Sequence, residues 1–209
     1  MPKEITILVH GFNKNKSDMR FLESGLLSAG FDVFSVNLPT TFGSVKECCN
    51  SLFLQIKEFV DGADVVNFVA HSMGGLITRS FIESYGQEKV AKCVFIATPH
   101  EGSELALTAN LIPLYSSIFK PINDLLPGAN YPVFEADKKF KIGVVAGKSN
   151  TSILGMLLMH EDSDGRVAVS SAMAKDMDDF VILPYGHSDI HHKQETLLLT
   201  KKFLTVGKF

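Results

Sequence analysis

Residues 65–76 of this chain read VVNFVAHSMGGL, and this stretch decides the fold. Its first six residues are mostly apolar and rich in β-branched side chains, which predicts a buried strand at 65–70. The residues from Leu76 to Tyr85 follow a glycine pair and predict a helix. Because only small residues allow a strand to turn sharply into a helix, we expect Ser72 to project from a tight bend at the carboxyl end of a central strand.

The same alternation of strand and helix patterns extends along the whole chain. Short apolar runs with strand character lie at 5–9, 33–37, 65–70, 94–97, 142–146 and 180–183. Between and after them, apolar residues recur at helical spacing at 19–29, 45–60 and 190–204, and Gly207 ends the last segment. In the first of these helices Phe21, Leu22, Leu26 and Leu27 are expected to face the core. This order predicts an α/β fold, in which helices cover both faces of a mostly parallel sheet.

Length and composition place the chain among ordinary globular proteins. Its 209 residues are expected to form one domain, 1–209, with a core that needs no disulfide or metal to hold it. A formal net charge of -3 gives no electrostatic reason to expect nucleic-acid or anionic-membrane partners. Cys48, Cys49 and Cys93 have neither disulfide nor metal-ligand spacing and are predicted to be small core residues.

Membrane and export segments are not expected from the sequence. The apolar run at 5–9 is too short for a signal peptide, so we expect an intracellular, cytoplasmic protein. The most lipid-like region, 105–119, is interrupted by Asn110 and Pro113. It falls short of the roughly 20 apolar residues that a spanning helix needs, so no transmembrane segment is predicted.

One region breaks the alternation of strands and helices. Residues 103–135 contain four prolines and an apolar segment, 105–119, that is too interrupted for a strand. A long apolar excursion of this kind often forms a lid over a binding site, and its character would suit an acyl chain. The alternative is a pair of helices packed permanently on the core.

The bend predicted at Ser72 has the pattern of a nucleophile elbow. Residues 69–75, VAHSMGG, match G-x-S-x-G with Ala70 in the first glycine position. Small residues are required on both sides of the serine because larger side chains would collide with the neighbouring strand or helix. The helix that starts near Met73 would direct free N–H groups at developing negative charge. The alternative is a serine in a purely structural turn.

A second element follows the first predicted strand, where residues 8–12 read LVHGF. Acyl transfer creates an oxyanion that needs at least two fixed donors, and the backbone N–H groups of Phe12 and Met73 are the candidates. Gly11 would let the chain pass close to the reacting carbonyl. His10 is expected to brace this loop through hydrogen bonds and not to transfer protons.

A serine nucleophile needs an imidazole base, and the imidazole needs a carboxylate to orient it. His187 follows the last predicted strand through a Pro-Tyr-Gly turn and is the chosen base. His191 and His192 are the alternatives, and we expect them to face solvent or cap the closing helix.

The candidate acids lie in residues 160–167, HEDSDGRV. Asp164 is preferred because the glycine after it permits a close turn toward His187, while Glu161 and Asp162 are expected to be solvated. Asp162 and Asp189 stay as alternatives. Arg166 could pair with a neighbouring carboxylate but is expected to face water.

These residues resemble the α/β-hydrolase family, and within it the lipase and lipase-like esterase branch. The resemblance spans nearly the whole chain in order, through 9–12 (VHGF), 70–75 (AHSMGG), 97–103 (ATPHEGS), 164–167 (DGRV) and 186–188 (GHS). It implies cleavage of carboxylic esters through an acyl-enzyme, without a metal or organic cofactor. It gives Ser72, Asp164 and His187 the roles of a catalytic triad, and Phe12 and Met73 those of an oxyanion hole. His100 and Ser103 fall in a stretch whose family role is architectural.

The chain also departs from the family pattern. It begins at what would be the family's third strand, which implies a parallel sheet of about six strands without the two leading antiparallel ones. The long excursion at 147–161 places the acid less firmly than the serine. The expected partner is a small acyl ester or a lipid-like molecule. A thioesterase or amidase with the same triad, and a binding module that has this fold without turnover, are the alternatives.

Overall fold

Six parallel strands form the central sheet of the protein. A computed structural model describes residues 2–110, 118–129, 131–150 and 162–209. The strands are β1 (Glu4–Val9), β2 (Val33–Ser35), β3 (Val65–His71), β4 (Val90–Ile96), β5 (Lys141–Gly147) and β6 (Asp179–Leu183). Their order in the sheet is β2-β1-β3-β4-β5-β6, and every neighbouring pair is parallel. The predicted parallel sheet of about six strands is confirmed.

Helices of very different length connect the strands. Those that the structure describes are α1 (Arg20–Leu27), α2 (Val45–Asp61), α3 (Met73–Tyr85), α4 (Glu104–Asn110), α5 (Pro121–Asp124), α6 (Val169–Ala172) and α7 (Gln194–Val206), with 3₁₀-helices at Lys16–Met19 and Ile190–His192. A capping box of Ser44 and Glu47 fixes the start of α2. Gly207 ends α7 in the left-handed conformation, as its position after the apolar pattern predicts.

The core lies on both faces of the sheet. Because side chains alternate along a strand, Ile7 and Leu8 belong to different clusters of buried residues. The cluster around Ile7 includes Leu52 of α2 and Leu76 of α3. The cluster around Leu8 includes residues of α1 and α7, among them Phe203. Helices therefore cover both faces, as predicted.

The boundaries differ from the sequence expectation at several places. β2 is only three residues long, β4 begins four residues earlier than predicted, and the segment 190–204 divides into a 3₁₀-helix and α7. In α1 Leu22 and Leu26 are fully buried, whereas Phe21 and Leu27 are 36% and 51% exposed. The prediction that all four face the core was wrong, because a short helix buries only the stripe of residues spaced four apart.

The proposed lid region, 103–135, is described in part. α4 and α5 lie in it, and Ala106, Ile122 and Leu125 are buried against the core. Residues 111–117 and 130, which include several of the apolar residues that suggested a lid, lie outside the described residues. Movement of this region, and its assignment as an insertion in a single domain, stay predictions.

Two other expectations concern membranes and thiols. None of the helices among the described residues is long and apolar enough to cross a lipid bilayer. Cys48, Cys49 and Cys93 are free and buried, which confirms their assignment to the core.

A buried ion pair lies between α3 and the chain that follows α6. The guanidinium of Arg79 donates two hydrogen bonds to the carboxylate of Asp176, of 2.8 and 2.7 Å, and both side chains are at most 3% exposed. Arg79 also donates to His100 Nδ1 and to the carbonyl of Pro132. Asp176 Oδ2 also accepts a hydrogen bond from the backbone N–H of Phe134, at 2.8 Å. This network fastens the segment after residue 131 to the core.

Removing one charge of this pair is expected to destabilise the fold strongly. Asp176→Asn would leave the buried Arg79 without a counter-charge, which costs about 3–5 kcal/mol. Asp162→Asn is the matched control, because Asp162 pairs with Lys148 at an exposed position and its loss costs less than about 1 kcal/mol. Urea unfolding of both variants measures the difference. Equal midpoints for the two variants would contradict the importance of the buried network.

Candidate active site

The predicted site residues follow the carboxyl ends of neighbouring strands. Ser72 follows β3 directly, Asp164 follows β5 after a long connection, and His187 follows β6 after a short turn. Since parallel strands end at the same edge of a sheet, these three side chains meet at one edge. Each has a relative exposure of 9% or less.

The backbone at Ser72 makes a sharp bend between β3 and α3. Its φ of 54° and ψ of -130° lie in a region that side-chain-bearing residues rarely adopt. The bend is held from both sides, because the Ser72 N–H donates to the carbonyl of Ile96 at 2.9 Å and Thr98 Oγ1 donates to the Ser72 carbonyl at 3.0 Å. The surrounding structure therefore maintains a strained conformation that presents the hydroxyl.

The glycines around the bend lie so close to neighbouring atoms that a side chain at these positions would collide with them. A Cβ at Gly74 would lie 2.5 Å from the carbonyl oxygen of Val9 and 2.7 Å from that of His10. A Cβ at Gly11 would lie 3.0 Å from Ser72 Cβ. At Gly75 it would collide with the side chain of Thr98. The steric reason given for small residues beside the serine agrees with these distances.

The three predicted triad residues form one chain of hydrogen bonds. Ser72 Oγ lies 3.0 Å from His187 Nε2. His187 Nδ1 lies 2.8 Å from Asp164 Oδ2, and since a carboxylate only accepts, Nδ1 carries the proton that is donated to it. Nε2 is then free to accept the proton of the serine hydroxyl. This is the geometry that nucleophilic catalysis by serine requires.

The carboxylate of Asp164 is held rigidly and faces away from solvent. Its second oxygen, Oδ1, accepts hydrogen bonds from the N–H groups of Arg166 and Val167, at 3.0 and 2.8 Å. The turn that makes this possible passes through Gly165, whose φ is 92°. The Asp164 carbonyl also accepts from the His187 N–H at 2.9 Å, so backbone and side chain both join the acid to the base.

The alternative acids lie elsewhere. Asp162 is exposed and pairs with Lys148 at 2.8 Å. Asp189 is exposed and precedes the second 3₁₀-helix. Glu161 lies outside the described residues. Arg166 is exposed, as expected.

The expectation for His191 was wrong. Its side chain is fully buried, with the ring stacked on that of His71 at 3.8 Å between centroids and Nε2 placed 3.1 Å from Asp18 Oδ2. Burial lowers its pKa, and the neighbouring carboxylate of Asp18 opposes this only in part. His192, by contrast, is 40% exposed. The sequence could not reveal the burial of His191, because its partner Asp18 lies near the opposite end of the chain.

The two candidate oxyanion donors, Phe12 and Met73, come from the loop after β1 and from the start of α3. Met73 is the first residue of α3, so its N–H has no carbonyl one turn earlier in the helix to bond to. Phe12 lines the same cavity as Ser72 and follows Gly11 on the loop after β1. His10 accepts a hydrogen bond from the Leu38 N–H at 3.0 Å through Nε2. Burial lowers the pKa of His10, so it is a neutral brace of this loop, as expected.

A cavity of about 300 Å³ opens beside Ser72 and His187. Its apolar wall comes from the proposed lid region and contains Leu105, Ala106, Ala109, Ile122 and Leu125. The side chains of Lys14 and Arg166 also line it. The site therefore combines a polar reactive corner with an apolar wall of the kind that holds a hydrocarbon group.

The stretch 97–103 has structural contacts throughout. Thr98 holds the carbonyl of Ser72, His100 accepts from Arg79 at 3.1 Å, and Ser103 Oγ donates to the carbonyl of Arg166 at 2.8 Å. Burial keeps the pKa of His100 well below its usual value. These contacts agree with the architectural role implied by the resemblance.

Sequence reasoning missed a second cluster of polar side chains next to the triad. It contains Asp18, His71, His191 and His192, and is called the histidine cluster below. Among the described residues, Asp18, His191 and His192 are the group close enough together to share a metal ion. Burial lowers the pKa of His71 well below its usual value, and electrostatic repulsion from the neighbouring His191 and His187 lowers it further. The signal in the sequence that could have pointed to this cluster was the position of His71, directly before the predicted nucleophile Ser72.

The strained backbone at Ser72 predicts an unusual response to substitution. Ser72→Gly should be more stable than Ser72→Ala by about 1 kcal/mol, because glycine adopts a positive φ without steric cost. Both variants lose the hydroxyl, so the difference between their free energies of unfolding reports on the backbone conformation. Elsewhere glycine is generally the less stable of the two, owing to its larger unfolded-state entropy. Urea unfolding that ranks the alanine variant higher would contradict the strained bend.

The chain was compared with proteins of known family, function or structure. A family model described as Domain of unknown function (DUF7379) matches residues 6–163. Triacylglycerol lipase 2 of Saccharomyces cerevisiae is 35% identical over 89 residues, which cover 39% of this chain and only 27% of the yeast protein.

Solved structures with a similar fold include a lipase and a carboxyl esterase. The mature lipase BlEst2 of Bacillus licheniformis superposes with a TM-score of 0.78 at 19% identity, over 98% of this chain and 92% of that one. A metagenomic carboxyl esterase gives a TM-score of 0.71 at 15% identity, over 90% of this chain and 65% of that one. The protein thus has the α/β-hydrolase fold of lipases and esterases, and because the family model spans more than half of its length, it belongs to the family described as Domain of unknown function (DUF7379).

Proposed function

We propose that this protein is a serine hydrolase that cleaves carboxylic esters through an acyl-enzyme on Ser72. The observation that carries the proposal is the continuous chain of hydrogen bonds from Ser72 Oγ to His187 Nε2 and from His187 Nδ1 to Asp164, with distances of 3.0 and 2.8 Å. The names of its relatives, a triacylglycerol lipase, a lipase and a carboxyl esterase, support ester hydrolysis as the general activity.

In the first step His187 Nε2 removes the proton of Ser72 as Oγ forms a bond to the carbonyl carbon of the ester. The carbonyl electron pair moves to oxygen, where the N–H groups of Phe12 and Met73 stabilise the negative charge. When the tetrahedral intermediate collapses, the bond to the alcohol oxygen breaks and His187 returns the proton to it. The acyl group remains on Ser72.

In the second step water takes the place of the alcohol. His187 removes a proton from the water molecule, whose oxygen attacks the acyl carbon, and the carboxylic acid leaves as the proton returns to Ser72. Asp164 holds the ring in the tautomer that accepts at Nε2 and stabilises the imidazolium that forms in each step. Side chains and backbone N–H groups supply all of these roles.

The shape and lining of the cavity support a substrate that carries an acyl chain or an aromatic group. Its apolar wall, formed by residues of 103–135, lies beside the nucleophile and offers a place for hydrocarbon. The same triad would also act on thioesters and amides, since it recognises an acyl carbon and not the leaving atom. A panel of matched ester, thioester and amide substrates with one acyl group separates these activities.

Hydrolysis of p-nitrophenyl esters of increasing acyl length tests the proposal. We expect measurable turnover that rises from acetate to a medium-chain acyl group, since the longer chain gains contact with the apolar wall. Ser72→Ala should lower kcat on the order of 10⁶-fold. If the protein is a binding module without turnover, the wild-type protein and Ser72→Ala will hydrolyse the esters at the same rate.

The acid is tested separately by Asp164→Asn. We expect kcat to fall about 10⁴-fold, because an amide at this position favours the wrong tautomer of His187. Asp162→Asn, which changes an exposed acid in the same loop, is the control and should leave kcat within about twofold. A loss of activity in the control and not in Asp164→Asn would reassign the acid.

A further inference from the structure

His71 connects the strand that carries the candidate nucleophile to the candidate base. It is the last residue of β3 and precedes Ser72 directly, and its Nε2 lies 3.0 Å from the backbone carbonyl oxygen of His187. Because a carbonyl only accepts, Nε2 carries a proton and donates it. The bond joins two positions that are 116 residues apart in the sequence. The proposed hydrolytic steps give the His71 side chain no role.

The backbone of His187 is held on both sides of its Cα. Its N–H donates to the carbonyl of Asp164 at 2.9 Å, and its carbonyl accepts from His71 at 3.0 Å. His187 lies in the turn after β6, outside the sheet, so strand pairing does not fix its position. The two hydrogen bonds therefore fix the base relative to the acid and to the strand of the nucleophile.

The ring of His71 is itself held in one orientation. Its backbone pairs with Ile96 of β4, and the ring of His191 stacks on it with centroids 3.8 Å apart. His191 in turn donates from Nε2 to the carboxylate of Asp18, at 3.1 Å. The His71 side chain is 3% exposed. Packing thus leaves the ring little freedom to rotate away from the His187 carbonyl.

His71 is a neutral hydrogen-bond donor. Burial lowers its pKa well below the usual value, so the ring carries a single proton, the one on Nε2. The neutral form matters because the rings of His71 and His187 lie only 5.0 Å apart between centroids. A positive charge on His71 would oppose the imidazolium that His187 becomes in each proposed step. A buried imidazole supplies the hydrogen bond without this repulsion.

We propose that His71 is a positioning residue, whose hydrogen bond to the His187 carbonyl holds the base within reach of the Ser72 proton. The inference rests on the proposed function, because it concerns the same triad. Proton transfer requires heavy atoms about 2.6–3.2 Å apart, and Ser72 Oγ lies 3.0 Å from His187 Nε2. A displacement of about 1 Å lowers the rate about a hundredfold. His71 therefore acts on the chemical steps more than on substrate binding.

His71→Met and His71→Gln test the proposal with p-nitrophenyl esters. Methionine is similar in size and cannot donate, whereas the longer amide side chain of glutamine can place an N–H near the His187 carbonyl. We expect His71→Met to lower kcat about 30- to 100-fold, with KM changed less than about threefold. His71→Gln should regain kcat to within about fivefold of the wild-type value. A merely structural ring would not separate the two variants in this way, since both replace the imidazole.

Thr196→Val is the matched control. Thr196 is fully buried, and its Oγ1 donates to the carbonyl of Ile190 at 2.6 Å, close to His187 in the sequence. Valine has the same shape, so this change removes one buried hydrogen bond to a carbonyl without altering a contact of the base. We expect kcat within about twofold of the wild-type value. Each variant is assayed at a temperature at which its unfolding curve shows it to be folded.

The distance between Ser72 Oγ and His187 Nε2 gives a second measurement, which needs no ester turnover. A crystal structure of His71→Met should show this distance above about 3.5 Å, or His187 in more than one conformation. His71→Gln should keep the wild-type distance. If His71→Met does not fold, His71→Asn replaces it, because its amide is too short to reach the carbonyl.

Two results would overturn the proposal. One is an unchanged triad distance in the variant without the donor, with kcat close to the wild-type value. The other is a loss of kcat in His71→Gln as complete as in His71→Met. A wild-type protein that cleaves no ester would instead contradict the proposed function, and the triad distance in the variants would still decide whether His71 positions His187.

Discussion

The whole site depends on the backbone bend that carries Ser72. A serine with a φ of 54° is unfavourable in isolation, and it persists because β3, α3 and the segment after β4 fix both of its peptide groups. Gly74 and Gly11 allow neighbouring backbones to pass within contact distance of the bend. These contacts hold the hydroxyl of Ser72 in one fixed direction, toward His187, where a relaxed turn would leave it mobile.

The parallel sheet makes this single bend productive. Because all six strands run the same way, the connections after β1, β3, β5 and β6 converge on one edge, and each contributes a different part. The loop after β1 carries Phe12, the proposed oxyanion donor, and the later loops bring Asp164 and His187. The same convergence explains the histidine cluster, which forms where the 3₁₀-helices after β1 and β6 meet the end of β3.

Features encoded in short stretches of sequence could be predicted, and features that depend on distant contacts could not. The strand pattern, the elbow at 69–75 and the glycine after Asp164 are local, so the sheet and the positions of the candidate triad followed from them. The burial of His191 depends on Asp18 and His71, which are far away in sequence, and its ring had been expected to face solvent. Phe21 and Leu27 were misassigned because apolar residues also occur beside the buried stripe of a helix.

The central claim is that the bend presents an activated hydroxyl to the His187 ring. Reaction with a fluorophosphonate, followed by peptide mass spectrometry, tests it most directly, because this reagent forms a stable bond only with an activated serine. One adduct per chain on Ser72, formed far more slowly in His187→Ala, is the predicted result. An adduct on another residue, or labelling of Ser72 at the same rate without the imidazole, would contradict the claim.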